Sequence, residues 1–245
     1  MNFADKITLK TREIGSPLCL GLDPHPNLIP KLFKKNSKNL SLKNIENFLF
    51  EIIDIAKHKV VAIKPQVAFF EQWGPDGMSL LVKVSKMARE NNILVIMDAK
   101  RGDIGSTSDA YAKAWLGKNS PFGANALTVN PWMGLESLLP FIEEANKNKS
   151  GVFILLKTSN AGSKDIQDLL VNNRAVFLHL ADLLQKDTST NLGKFGYSDI
   201  GVVVGATQPK EARLIRKILP KSLFLIPGFG AQGASASEAL SGLIL

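Results

Sequence analysis

The sequence predicts an α/β protein of the (β/α)8 TIM barrel class, organised as one domain over residues 1–245. Two observations lead to this prediction. Seven short apolar runs alternate along the chain with longer segments of helical periodicity. In most runs the apolar residues are consecutive, which is typical of strands covered on both faces in a parallel sheet. Because the strand–helix order repeats without interruption, a barrel is favoured over an open doubly wound sheet.

The predicted strands are these apolar runs. No G-x-G-x-x-G motif follows an early run, which argues against a dinucleotide-binding fold. An eighth strand is hard to locate, because Leu243–Leu245 is too short to close a barrel, so we expect most of that strand to be missing. The seven runs are PLCLGLD (17–23), KVVAIK (59–64), NILVIMD (92–98), NALTVN (125–130), GVFILLK (151–157), IGVVVGA (200–206) and LFLIPG (223–228).

The predicted helices lie between these runs and carry apolar residues three and four positions apart. In the first of them, Ile45, Leu49, Ile52 and Ile53 fall on one helical face. The predicted helices are Leu42–His58, Gly77–Asn91, Leu135–Lys147, Arg174–Gln185, Pro209–Leu219 and Ser235–Leu240.

The charge balance favours a solvated basic surface or a preference for an anionic substrate over nucleic-acid binding. The chain has 30 Lys and Arg against 22 Asp and Glu, a net charge of +8. Outside residues 31–43 the basic residues are scattered and are not interleaved with aromatic residues, as a nucleic-acid surface would require. The N-terminus lacks the apolar core of a signal peptide and no run is long enough to span a membrane, so we expect a cytoplasmic protein.

Cysteine and histidine usage gives no indication of a metal or a disulfide. Cys19 is the only cysteine and lies in an apolar run, so we expect a buried, unreactive thiol. His25, His58 and His179 are far apart and show no ligand spacing. Neither residue type therefore indicates a metal site.

Charged residues close three successive predicted strands. The first run ends in Asp23, the second in Lys64 and the third in Asp98, with Lys100 two positions further on. Because the carboxyl ends of barrel strands converge on one face, we expect these side chains to meet there. Asp98 and Lys100 are two residues apart on extended backbone and should point to the same side. A surface cluster of salt bridges is the alternative, but three charged strand ends in succession favour a functional site.

The segment MDAKRGDIGST (97–107) resembles the D-x-K-x-x-D signature of the orotidine 5'-phosphate decarboxylase family, in the form D-A-K-R-G-D-I-G-S-T found in a bacterial branch. Gly102 and Gly105 are expected to let the backbone turn in this segment. Five further segments accompany the signature in order: LGLDP, AIKPQVAFFE, TVNPWMG, LLKTSN and PGFGAQG. The resemblance implies a cofactor-independent enzyme that releases CO₂ from orotidine 5'-phosphate to give uridine monophosphate. It also implies a homodimer with shared active sites.

The same resemblance implies a catalytic array of Lys64, Asp98, Lys100 and Asp103. Lys100 matches the lysine that delivers a proton to C6 of the pyrimidine. Asp98 matches the carboxylate beside the leaving carboxylate of the substrate. Asp103 and Thr107 match residues that reach into the site of the neighbouring subunit.

The remaining matches concern substrate binding. Asp23 and Lys64 match contacts to the ribose hydroxyls, and Ser159 matches the residue that hydrogen-bonds the base. Thr158–Asn173 is a candidate mobile cover over the base. Arg101 matches no catalytic role, and we expect a structural one. The phosphate loop would be formed by Gly228, Gly230, Gly233 and Gln232, where successive backbone N–H groups can turn toward an anion.

Chains of this family continue into a final strand whose arginine binds the phosphate, whereas the present sequence stops at Leu245. We therefore expect weaker substrate binding than in a longer version of the chain. Three alternatives stay open at this point. They are a metal-dependent sugar-phosphate lyase or decarboxylase of the same superfamily, a non-catalytic truncated nucleotide-binding barrel, and a basic nucleic-acid binder.

Overall fold

Nine strands form within the described residues, seven of them in one parallel sheet. The computed structural model describes residues 1–34, 40–190, 192–230, 233 and 235–243. In chain order the strands are β1 (Cys19–Leu22), β2 (Ala62–Pro65), β3 (Leu94–Arg101), β4 (Ala126–Val129), β5 (Gly151–Lys157), β6 (Leu170–Val171), β7 (Arg174–Ala175), β8 (Ser198–Val204) and β9 (Ser222–Leu225). The order in the large sheet is β1-β2-β3-β4-β5-β8-β9, and β6 pairs antiparallel with β7. Strands therefore lie side by side in their chain order, as a barrel requires.

Helices connect these strands. Several begin at a recognisable cap: Ser41 and Asn44 form a capping box at the start of α3, for example. The helices are α1 (Phe3–Ile14), α2 (Lys31–Lys34), α3 (Leu42–Ala56), α4 (Ala68–Glu71), α5 (Gly74–Glu90), α6 (Gly105–Leu116), α7 (Leu139–Asn148), α8 (Val176–Thr188), α9 (Pro209–Ile218) and α10 (Ala236–Ala239). Single 3-10 turns cover Pro26–Leu28, Leu135–Leu138, Ala161–Asp165 and Leu240–Gly242.

Each of the seven predicted runs overlaps a strand of the large sheet, and each of the six predicted helices overlaps a helix. The helix predicted from Arg174 begins two residues later, because Arg174 and Ala175 pair with β6 instead. Leu135–Leu138 forms a 3-10 turn before α7. The possible eighth strand at Leu243–Leu245 cannot be compared, since its last two residues lie outside the described ranges.

Helices α1, α2, α4 and α6 were not predicted. The α6 sequence GSTSDAYAKAWL buries only four residues, among them the small Ser108 and Ala112, so its apolar stripe is weak. No helix in the described part of the chain is long and apolar enough to cross a membrane.

Two apolar layers hold the barrel together. The larger lies between the outer faces of the strands and the helices. The smaller lies inside the sheet and includes Ala62, Ile96, Ala126 and Phe153, one from each of four successive strands, together with Phe3 of α1. Along each strand, side chains that face the interior alternate with side chains that face the helices, because successive side chains of a strand point to opposite faces.

Helix α1 covers the amino-terminal end of the sheet. The Phe3 ring meets Phe153 edge-to-face at 5.8 Å and packs where a side chain at Gly151, the first residue of β5, would collide with it. The backbone N–H of Ala4 donates to Asp199 Oδ1 at 2.6 Å, near the start of β8. One end of the barrel interior is thus filled by α1, which leaves the carboxyl ends of the strands for a site.

Candidate active site

Charged side chains from the first three strands meet at the carboxyl ends of those strands. Lys64 Nζ lies 2.8 Å from Asp98 Oδ2 and 3.9 Å from Asp23 Oδ1. The strand register explains the meeting, because Gly21 of β1 is paired with Lys64 and Gln66 forms a bridge with Asp98. The predicted convergence of these side chains is confirmed.

Lys100 reaches the same carboxylate, with its Nζ 2.7 Å from Asp98 Oδ1. The predicted reason for this contact, a regular extended backbone, is wrong. Lys100 has a φ of +48°, in the left-handed region, and the register of β3 on β4 shifts between Met97 and Arg101. The chain advances four residues along β3 for two along β4, so Lys100 lies in a bulge that turns it back toward Asp98.

Asp98 is nearly buried, with 6% of its surface exposed, and both of its oxygens are hydrogen-bonded. Thr128 Oγ1 donates to Oδ1 at 2.9 Å and Gln66 Nε2 donates to Oδ2 at 3.1 Å, in addition to the two lysines. Sequence reasoning did not single out Thr128 or Gln66. The available signal was their polarity at strand positions that face the interior, two residues after Ala126 and Lys64 respectively.

The charged side chains of this cluster stabilise one another's ionised forms. Burial opposes ionisation of Asp98, but Lys64 and Lys100 outweigh it and hold the pKa of this carboxyl below its ordinary value. Burial likewise disfavours the ammonium form of Lys64, yet Asp98 and then Asp23 more than compensate and raise its pKa. Asp98 is therefore an anion held between two cations at neutral pH.

Cys19 lies on β1 near this cluster. Burial raises the pKa of its thiol to about 12, with Lys64 opposing the shift and Asp98 adding to it. The thiol is therefore protonated at neutral pH, which agrees with the predicted low reactivity, although Cys19 is half-buried and not fully buried as predicted.

Asp103 and Thr107 lie apart from the cluster in the same chain. Asp103 Oδ1 accepts a hydrogen bond from the N–H of Ile104 at 2.8 Å, and no ion pair joins it to Lys100 among the residues with described positions. Thr107 is exposed in the first turn of α6. Both residues follow β3 in the chain, and Asp103 is half-buried while Thr107 is exposed.

The two glycines of this loop serve different purposes. Gly105 has a φ of +51° and provides the predicted tight turn. Gly102 does not have a positive φ; a Cβ at this position would lie 2.9 Å from the carbonyl oxygen of Asn130, so its lack of a side chain permits close packing of β3 and β4.

Ser159 follows β5 and packs against the end of β8. A Cβ on Gly205 would lie 2.7 Å from the Ser159 Cβ, and Thr207 Oγ1 lies 3.3 Å from the Ser159 carbonyl oxygen. The segment predicted as a cover contains a 3-10 turn and β6, and β6 pairs with β7 just after the segment ends. Lys157, which is fully buried, secures this segment by donating to Asp168 Oδ1 at 2.6 Å.

The predicted phosphate loop follows β9. Gly228, Gly230 and Gly233 all have positive φ values, of 109°, 81° and 80°, and the N–H of Gly233 donates to the carbonyl of Gly230 at 3.1 Å. A side chain at Gly230 or Gly233 would meet no atom within 4 Å, so both glycines border open space. Gln232 lies outside the described residues.

A metal site was not predicted. Within the described ranges, no three or more His, Cys, Asp or Glu side chains cluster in a way that could hold a metal ion.

Comparisons with known proteins agree with one another. The sequence profile of the orotidine 5'-phosphate decarboxylase / HUMPS family matches residues 16–240. A protein named orotidine 5'-phosphate decarboxylase from Rhodopirellula baltica is 42% identical, over 97% of this chain and 82% of that protein. The one from Caldicellulosiruptor bescii is 38% identical, over 97% and 83%. The structure of Leishmania donovani OMP decarboxylase superposes with a TM-score of 0.79 at 32% identity, over 99% of this chain and 84% of that one. These matches confirm the predicted barrel class.

Proposed function

This chain belongs to the orotidine 5'-phosphate decarboxylase / HUMPS family, and we propose that it acts through Lys64, Asp98 and Lys100, completed by Asp103 of the partner subunit. The activity is that of a carboxy-lyase converting orotidine 5'-phosphate to uridine monophosphate and CO₂. The observation that carries the residue assignment is the Lys64–Asp98–Lys100 cluster, built at the strand ends where barrel active sites lie. The form of the signature at 97–107 supports assigning the chain to the bacterial branch of the family.

The reaction breaks the bond between C6 of the pyrimidine and its carboxylate. The electron pair stays on C6 while CO₂ leaves, and C6 then takes a proton. In this assignment the Lys100 ammonium gives that proton, and water afterwards restores it to the resulting amine. A proton donor must stand at the reacting carbon, and Lys100 is suited to that position because its side chain is 43% exposed, the most accessible of the three.

Magnitudes indicate which interaction contributes most. Asp98 and the substrate carboxylate about 4 Å apart would repel by roughly 4 kcal/mol at an effective dielectric of about 20. Catalysis of a very slow reaction requires on the order of 20 kcal/mol. Repulsion in the bound substrate is therefore a secondary effect. The larger contribution is the preorganised cation of Lys100, which acts where negative charge develops in the transition state.

The surroundings of the cluster suit the rest of the substrate. Lys64 and Asp23 would hold the ribose hydroxyls, and Ser159 the base. The glycine loop at Gly228, Gly230 and Gly233, with Gln232, would receive the phosphate, since its three glycines have positive φ and a side chain at Gly230 or Gly233 would meet open space. This loop follows the last strand of the large sheet, where barrel phosphate sites commonly lie.

The placement of Asp103 and Thr107 supports a homodimer. Both follow β3, and within the described residues neither forms an ion pair with Lys100 of its own chain. Exposed Ile104, Trp132 and Met133 follow β3 and β4 at the same end of the sheet. We propose that this surface meets a second copy, so that Asp103 and Thr107 enter the site of the other subunit. The whole chain would act as one domain in the cytoplasm, on a small molecule and not on nucleic acid or a membrane.

The test is loss of the ultraviolet absorbance of orotidine 5'-phosphate on adding the protein, with and without EDTA. We expect equal loss in both samples, with one CO₂ released per uridine monophosphate. Turnover abolished by EDTA would favour the metal-dependent lyase. Binding of uridine monophosphate without turnover would favour a non-catalytic barrel. Binding of the protein to DNA that weakens as the salt concentration rises would favour a nucleic-acid binder.

A further inference from the structure

Arg101 follows the proposed proton donor directly, yet its side chain leaves the strand in the other direction. Its Nη2 forms an ion pair with Glu71 Oε1, at the end of α4. The guanidinium also lies over two rings of α6, 5.4 Å from the Trp115 centroid and 5.7 Å from the Tyr111 centroid. Arg101 thus connects the end of β3 to two helices outside the barrel.

The backbone around Arg101 is the bulge that aims Lys100 inward. Arg101 Nη1 lies 3.4 Å from the carbonyl oxygen of Ala99, inside the bulge, and the Arg101 carbonyl accepts from the N–H of Asn130 at 2.8 Å. On the other side, the N–H of Lys100 donates to Thr128 Oγ1 at 2.9 Å. Arg101 therefore marks the point where regular pairing with β4 resumes.

Lys100 cannot hold this conformation by itself. A non-glycine residue at a φ of +48° is in a sparsely populated region, which persists only where the surroundings impose it. Trp115 is 4% exposed and stacks on Phe122, with ring centroids 4.4 Å apart. The ring against which the Arg101 guanidinium packs is therefore held in place by its own contacts.

We propose that Arg101 is a positioning residue for the decarboxylation, which fixes the bulge and thereby places the Lys100 ammonium against Asp98. This inference rests on the proposed role of Lys100. It gives a function to the one charged residue of MDAKRGD that the catalytic array does not use. Arg101 itself would touch neither the substrate nor the reacting carbon.

A purely stabilising role makes a different prediction. The Arg101 side chain is 23% exposed, and its Nε is buried without a hydrogen-bond partner among the described residues, so desolvation offsets much of what the ion pair contributes. Methionine would keep the aliphatic contact with Trp115 and Tyr111. We therefore expect Arg101→Met to alter the catalytic step far more than the thermal stability.

The experiment compares Arg101→Met with Arg12→Met. Arg12 also stacks on an aromatic ring, 4.4 Å from the Phe195 centroid, but at the opposite end of the barrel on α1. We expect Arg101→Met to lower kcat by about 10- to 100-fold, because small misplacements of reacting groups have effects of this size, with KM changed less than about threefold. The control should retain wild-type kcat and KM.

A crystal structure of Arg101→Met supplies a readout that does not depend on activity. We expect the separation between Lys100 Nζ and Asp98 Oδ1, 2.7 Å in the wild type, to lengthen beyond hydrogen-bonding distance. An unchanged separation together with wild-type kcat would overturn the inference. If Arg101→Met does not fold, Glu71→Gln replaces it, and a wild-type kcat in that variant would also overturn the proposal. If the wild type itself does not decarboxylate, the activity assignment fails, and the measured separation still decides the role of Arg101.

Discussion

Asp98 Oδ2 lies 2.8 Å from Lys64 Nζ, and this contact joins the carboxyl ends of two neighbouring strands. The other oxygen of Asp98 faces Lys100 at 2.7 Å, so a single buried carboxylate separates two ammonium groups. The arrangement leaves one excess positive charge among the three side chains, which suits an anionic substrate. It also makes Asp98 the residue on which the electrostatic balance of the site depends.

Replacing Asp98 by Asn should therefore destabilise the protein more than replacing Lys64 by Met. In Asp98→Asn two cations are left without their common anion, and we expect the free energy of unfolding to fall by about 3 kcal/mol. In Lys64→Met the carboxylate keeps Lys100, Thr128 and Gln66, so the expected loss is about 1 kcal/mol. Urea denaturation at pH 7 measures both. An equal or larger loss in Lys64→Met would show that the carboxylate is not the centre of the cluster.

Asp199 provides a pH-dependent test of how α1 closes the barrel. Burial raises the pKa of its carboxyl to about 6, against the effect of the Ala4 N–H that it accepts. Between about pH 4 and pH 6 the folded protein therefore binds more protons here than the unfolded chain, so stability falls as pH rises through this range. Asparagine keeps the acceptor without the charge.

We thus expect Asp199→Asn to gain stability relative to the wild type as pH rises from about 4 to about 6, by up to about 3 kcal/mol, and to keep that gain at higher pH. Unfolding by urea at pH 4.5 and pH 7.5 measures the difference. A relative stability independent of pH would contradict a raised pKa at Asp199.

Mixed dimers test the proposed exchange of Asp103 between subunits. Lys100→Ala and Asp103→Ala should each be nearly inactive alone. In a mixed dimer, the intact Lys100 of one chain meets the intact Asp103 of the other, which restores one of the two sites. Random pairing would return about one quarter of the wild-type activity. No recovery on co-expression, with mixed dimers demonstrated by mass spectrometry, would place Asp103 outside the partner's site.

Cys19 should resist thiol reagents in the folded protein, because burial raises the pKa of its thiol to about 12. We expect no reaction with a chromogenic disulfide reagent at pH 8 over an hour. In concentrated urea one thiol per chain should react. Stoichiometric labelling of the folded protein within minutes would show an accessible Cys19 near the cluster.

Much of this architecture could be predicted because it follows from local pattern. Consecutive apolar residues identified all seven strands of the large sheet, and the charged strand ends identified Asp23, Lys64 and Asp98. Their convergence required only the rule that parallel strands of a barrel end on one face. The resemblance of residues 97–107 to a known signature then gave the chemistry.

What could not be predicted depends on tertiary packing. The bulge at Lys100 and the support of Asp98 by Thr128 arise from how β3 pairs with β4, which no local pattern specifies. Arg101 contacts Glu71, 30 positions before it in the chain, and Trp115, 14 positions after it. Helix α1 was missed because its role, covering the barrel end through Phe3, is set by the completed sheet.

The central claim is that the Lys100 ammonium supports decarboxylation at C6 and gives the proton that replaces CO₂. The most direct test is kcat of Lys100→Ala on orotidine 5'-phosphate. Lys86→Ala is the control, since Lys86 is an exposed lysine of α5 that forms an ion pair with Glu90. We predict a loss of at least about 10⁴-fold in Lys100→Ala, with a wild-type circular dichroism spectrum and melting temperature, and full activity in the control. Turnover by Lys100→Ala within about tenfold of the wild type would contradict the claim.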